Sequence, residues 1–158
     1  MSTSIDAAIA AQSGALREHY AKTVIPLWRA QGYDAARGLP YEAVSGEDQA
    51  PLPVVRYRAM ACARQLFVFS LAGDAAHAHT LFDSLRRYFL DTRHGGWFYS
   101  VDADGAPLDT TKDLYTHAFV IFACAQYASA FGEREALEVL AETAGLIDAR
   151  FHASGGLL

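Results

Sequence analysis

The chain has 158 residues, 52% hydrophobic and 20% charged, with a formal net charge of −5. A chain of this size makes one domain that buries about 70% of the surface its unfolded form exposes. The acidic balance and the lack of a Lys/Arg-rich block argue against nucleic acid or an anionic membrane as the main partner. No uninterrupted apolar run reaches the roughly 18 residues of a membrane span. The opening MSTSIDAAIAAQ has neither the basic segment nor the apolar core of a signal peptide. Cys62 and Cys124 sit in apolar helical text, far from any CxxC. They read as reduced core thiols of a cytoplasmic protein.

Apolar periodicity predicts five helices. The first covers 5–31 with Ser4 as N-cap. Pro26 lacks a backbone donor, so a kink or break is expected near Lys22. The second covers 53–72 and stops at Gly73, and the third covers 75–90 behind Asp74 as its cap. The fourth covers 111–131, capped by Asp109 or Thr110 and stopped by Gly132, and the fifth covers 134–151.

The segments between helix pairs resemble one another. They are DAARGLPYEAVSGEDQAPLP from Asp34, DTRHGGWFYSVDADGAPLD from Asp91 and DARFHASGGLL from Asp148. Gly95-Gly96 recurs as Gly155-Gly156, and Gly38 matches Gly96. Tyr41 and Tyr99 hold like positions, and Pro51-Leu52 and Pro107-Leu108 close the first two segments. Asp104-Gly105 is a strong hairpin signal. The unit is therefore two helices followed by a short β-hairpin. A helix pair cannot cover its own apolar face, so neighbours must, and a ring does this without leaving an end. The expected class is all-α, an α/α toroid with its hairpins on one face. Five helices in an open arc leave an apolar edge. Residues 1–158 are thus expected to be a single domain, the N-terminal portion of a larger barrel.

In VVRYRAMACARQLFVFSLA, Arg64 lies between Ala61, Ala63 and the run Leu66, Phe67, Phe69. A charge there is costly unless paired. One reading is an Arg bonded to a buried carboxylate or to hairpin carbonyls. The other is a guanidinium aimed into a cavity to hold oxygen atoms. In DTTKDLYTHAF, Tyr115 and His117 are two apart and cannot share a helix face. His117 reads either as a satisfied core residue or as a group at a cavity mouth. Trp97, Phe98 and Tyr99 either pack or stack on a sugar ring. No HExxH, zinc spacing, phosphate loop or serine elbow is present, so neither metal nor cofactor is expected.

On CARQLFVFSLAGD, HGGWFYSVDADGAPLDTTKDLYTHAFVIFACAQYA and the repeat, the sequence resembles the N-acylglucosamine 2-epimerase family. The resemblance spans nearly the whole chain but only the first part of the family's length. It implies an (α/α)6 barrel and a sugar isomerase or epimerase, acting on a small-molecule sugar. The implied mechanism is proton transfer at C2 of the open-chain sugar through a cis-enediolate. Return of the proton to C2 gives the epimer, and return to C1 gives the ketose. Arg64 matches the family's arginine and is the implied catalytic residue, binding the oxygen that becomes the enediolate anion. Tyr115 and His117 match the motif that lines the pocket and are the implied substrate-binding residues. The family's two acid–base histidines fall outside these residues, so the chain alone is expected to lack turnover. The rival readings are another α/α-toroid enzyme, such as a glycoside hydrolase using Glu42, Glu47, Asp102 or Asp104, and a non-catalytic helical-repeat binding module. Oligomeric state is open, with a homo-oligomer among the options.

Overall fold

The computed structural model describes residues 2–152. The third connecting segment's Gly155-Gly156 and Leu157-Leu158 lie outside the described residues. The described residues hold six α-helices and five short strands, in the order α1 Ser2–His19, α2 Ile25–Arg29, β1 Tyr33–Asp34, β2 Leu39–Pro40, β3 Arg56–Arg58, α3 Ala59–Leu71, α4 Ala75–Phe89, β4 Ser100–Asp102, β5 Pro107–Asp109, α5 Leu114–Phe131 and α6 Arg134–Arg150. α1 starts at Ser2, ahead of the expected cap Ser4. Between α1 and α2, Tyr20–Val24 forms a π-helical turn, closed by Ile25 N–H bonding the Tyr20 carbonyl. The break near Lys22 is therefore real. Pro26 offers no amide to the preceding turn, and the wider turn absorbs the mismatch.

Two further helix starts differ from expectation. The second predicted helix begins at Ala59, because Arg56–Arg58 is a strand paired antiparallel with β4. Tyr57 in that strand is 2% exposed and donates from its hydroxyl to Asp34 Oδ2 at 2.7 Å. Buried pairing overrides the helical start that Pro53 suggests. α5 begins at Leu114, and its cap is Asp113, which accepts from Thr116 N–H at 2.8 Å. Asp109 is occupied at the end of β5, where it accepts from Thr111 N–H. The caps at Asp74, Gly73 and Gly132 fall where expected, with Gly132 at φ +76°.

The two corners share one construction. Asp34 Oδ1 accepts from the amides of Ala36 and Arg37, and Asp91 Oδ1 from those of Arg93 and His94. Gly38 N–H returns to the Asp34 carbonyl and Gly95 N–H to the Asp91 carbonyl, both at 2.8 Å and both with φ +73°. Gly38 thus corresponds to Gly95, one residue from the Gly96 match drawn from the sequence. The Tyr33–Pro40 pair of the first corner likewise corresponds to the Leu90–Trp97 bridge of the second.

α3 and α5 lie side by side, α4 packs on α3, and α6 packs on α5. This is the layering of an α/α toroid. The seams are filled by Cys62, Leu66 and Phe69 of α3, Leu81, Leu85 and Phe89 of α4, and Val120, Ala123 and Tyr127 of α5. Each fully buried large side chain contributes roughly 1.5–3 kcal/mol. Both thiols are free and buried. α5 is the described helix long and apolar enough to cross a membrane by length and composition. Here α3 and α6 flank it, which is why it is apolar on several sides.

Two predictions concern this core. Gly96 has φ +77°, and a Cβ there would meet His117 Nε2 at 2.7 Å, whereas Gly132 has equally positive φ with open space around it. Gly96→Ala should cost more than about 2 kcal/mol and Gly132→Ala about 1 kcal/mol in urea unfolding. Equal costs would dissolve the role of the His117 contact. His77 is 2% exposed between the Tyr33 and Phe69 rings, and burial first, then Arg29, pushes it down to about 4. Its folded pKa lies below the ordinary 6.5, so the unfolded chain binds more protons between pH 6.5 and 4. Stability should fall by on the order of 2–3 kcal/mol as pH drops through that window, and His77→Phe should flatten the slope.

Candidate functional site

The β3–β4–β5 sheet sets the level at which two neighbouring helices start. Ala59 N–H bonds the Tyr99 carbonyl at 3.1 Å as α3 leaves β3. Asp113 caps α5 just after β5. Arg64 stands in the second turn of α3, and Tyr115 stands in the first turn of α5. With the helices side by side, the two meet: Arg64 Nη2 donates to Tyr115 Oη at 3.0 Å. The guanidinium carbon lies 4.5 Å from the centre of the Phe119 ring and 5.9 Å from that of Tyr115.

Arg64 is exposed, and among the described residues no carboxylate pairs with it. The reading as an Arg bonded to a buried carboxylate is therefore not what the structure holds. Its charge rests on aromatic faces, an attraction of about 0.5–2 kcal/mol that leaves most of its N–H donors free. Tyr115 is 57% exposed and packs edge-on against Phe119. Phe122, also exposed, stacks on Phe67 of α3 at 4.3 Å. Arg64, Tyr115, Phe119, Phe122 and Phe67 thus form one polar-tipped aromatic wall. The sequence analysis singled out Arg64 and Tyr115 but missed the part Phe119 plays beneath the guanidinium.

On its other side Arg64 edges a cavity of about 320 Å³ between α3 and the α1–α2 segment. Tyr20, Ile25 and Trp28 line it opposite Ala61, Arg64 and Val68. Ala61, with its small side chain, leaves room in it. Glu42 and Arg58 also border it, but they neutralise each other at 2.5–2.6 Å, and Glu42 accepts the Arg58 amide as well.

His117 is a correction. It is 0% exposed and does not line this cavity. Its Nε2 accepts from Trp97 N–H at 3.2 Å, so the proton sits on Nδ1, which donates to the Asp113 carbonyl at 2.7 Å. Burial lowers its pKa, with the Asp113 bond opposing. The imidazole is a neutral fastener and has no nitrogen left for a sugar. Trp97, Phe98 and Tyr99 are also committed. Trp97 is buried and donates from Nε1 to Thr143, Lys112 lies over Phe98, and Arg56 lies over Tyr99. The acids named for a hydrolase are turn and ion-pair residues. Asp102 accepts the amides of Asp104 and Ala106, and Glu42 holds Arg58. Among the described residues no group of three His, Cys, Asp or Glu is placed to hold a metal ion.

The N-acylglucosamine 2-epimerase (GlcNAc 2-epimerase) family profile matches residues 46–156. A cellobiose 2-epimerase of Dictyoglomus turgidum is 28% identical over 83% of this chain and 35% of its own length. A D-mannose isomerase of Thermobifida fusca is 34% identical over 65% of this chain and 26% of its own. The solved cellobiose 2-epimerase of Spirochaeta thermophila superposes with a TM-score of 0.73 at 29% identity, over 88% of this chain and 36% of that one. The chain therefore spans about a quarter to a third of the length of these relatives. With the profile covering β3 through α6, and the fold shared with a solved epimerase, the chain belongs to the N-acylglucosamine 2-epimerase family.

Proposed function

We propose that these residues form one side of the site of a carbohydrate epimerase or isomerase that moves a proton at C2 through an enediolate. The observation that carries this reading is Arg64, exposed without a carboxylate partner and held on Phe119 by Tyr115. Removing the C2 proton of an open-chain aldose puts negative charge on the carbonyl oxygen. A guanidinium fixed in place and not neutralised holds that charge without reorganising, and such donors typically contribute 10²–10³ in rate. The Tyr115 hydroxyl, accepting from Arg64, turns its own proton outward to a sugar hydroxyl. The names of the relatives suggest cellobiose- or mannose-type sugars.

The reading also assigns what these residues do not do. Proton abstraction needs a base poised against C2. Among the described residues no histidine lines the cavity beside Arg64. His79 shares a hydrogen bond with the Tyr127 hydroxyl, and His94 sits by Asp91 on the outer corner. In this proposal the 158 residues supply one part of a larger α/α barrel and lack turnover by themselves. Incubating the 158-residue chain with cellobiose, mannose, fructose and N-acetylmannosamine should return each unchanged. Robust conversion would mean that the base lies within it.

In a longer form of the protein that does turn over sugar, Arg64→Ala should lower kcat/KM by about 10²–10³. Arg64→Lys should recover only part, because an ammonium lacks the planar fork. An Arg64→Ala enzyme as fast as the parent would remove the proposed role and favour a binding module.

A further inference from the structure

A second cleft, of about 610 Å³, opens on the outer side of the second corner and shares no lining residue with the Arg64 cavity. Arg93, Lys112 and Arg150 line it together with Asp91, His94, Phe98, Pro107 and Thr110. The proton count matters here. Lys112 is neutralised by Asp91 at 2.7 Å and also donates to the Gly95 carbonyl at 2.6 Å. Asp91 spends its other oxygen on the amides of Arg93 and His94. These carboxylate contacts, together with the Lys112 cation, hold the Asp91 pKa well below the ordinary 3.8, so its charge is fully engaged. Neither Arg93 nor Arg150 has an ion-pair partner among the described residues.

Two guanidinium charges therefore remain unmatched in one concave place, on a chain whose net charge is −5. Such a place draws a dianion, and guanidinium forks suit the oxygens of phosphate. The Thr110 hydroxyl adds a donor that can turn, while Pro107 and Phe98 give an apolar side. We propose that this cleft binds a phosphate dianion, free or as the phosphate group of a sugar ester, at a site separate from the one Arg64 serves.

Calorimetry and amide NMR on the 158-residue chain test this, with inorganic phosphate, glucose 6-phosphate and glucose at constant ionic strength. Saturable binding of the phosphates is expected, with shifts at Arg93, Thr110 and Arg150 and none there from glucose. Tighter binding of glucose 6-phosphate would identify the esterified source, and equal binding would identify free phosphate. Replacing both Arg93→Ala and Arg150→Ala should weaken binding at least about tenfold, the scale of one lost charge-assisted bond. Arg64→Ala should leave it unchanged. Both cleft arginines are exposed, so an unchanged urea midpoint will show that the double variant folds. Lys112 stays in place because it holds the corner. Absence of saturation, full binding by the double variant, or loss on Arg64→Ala would each overturn the proposal.

Discussion

The hydrogen bond from the Trp97 amide to His117 Nε2 ties the second corner to α5, and much else follows from it. It requires a bare backbone at Gly96, where a Cβ would occupy the space of the imidazole. It requires Nδ1 to carry the proton, and the Asp113 carbonyl is there to accept it. Lys112 closes the same knot by reaching back to Asp91 and the Gly95 carbonyl. Charge-assisted bonds of this kind contribute roughly 1.5–3 kcal/mol each. The knot fixes the rotation and height of α5 against the end of α4. Residues two apart on a helix point roughly 200° away from each other, so fastening His117 inward turns Tyr115 outward, toward Arg64. The fastener and the site are two sides of one turn of helix.

The site itself inverts the logic of the core. The buried carboxylates are neutralised, Asp34 under Tyr57 and Arg37 and Asp91 under Lys112, and at the cavity rim Glu42 is held by Arg58. Arg64 rests on an exposed aromatic wall, with the Tyr115 hydroxyl as its one direct polar side-chain contact among the described residues. In the proposed function, this arrangement would keep an intact positive charge available to an incoming oxyanion, with aromatic faces and a neutral oxygen fixing its direction, whereas a carboxylate partner would cancel that charge.

The sequence reading recovered the helix–helix–hairpin unit because its signals are local. Asp74 and Gly132 stop and start helices through their own backbone neighbours, and Asp104-Gly105 turns a hairpin through its own φ preference. It missed β3 because that strand depends on a partner far along the chain, and it missed the Asp113 cap because Asp109 and Thr110 offer the same local capping chemistry a few residues earlier. Arg56–Arg58 is a strand only because β4 lies beside it, and that pairing also carries the buried Tyr57. Matching Gly38 to Gly96 instead of Gly95 had a different cause. Glycine spacing cannot tell which of two adjacent glycines closes onto the aspartate carbonyl.

What the sequence by itself determined is the repeat, the helical class and the candidate trio Arg64, Tyr115 and His117. Periodicity, caps and motif spacing are all written in order along the chain. Only the tertiary structure divided that trio, sending Arg64 and Tyr115 to one wall and His117 into the core. The division rests on burial and on which backbone groups need a partner. An imidazole two residues from a tyrosine satisfies a distant amide or meets a substrate according to where another turn of chain comes to lie.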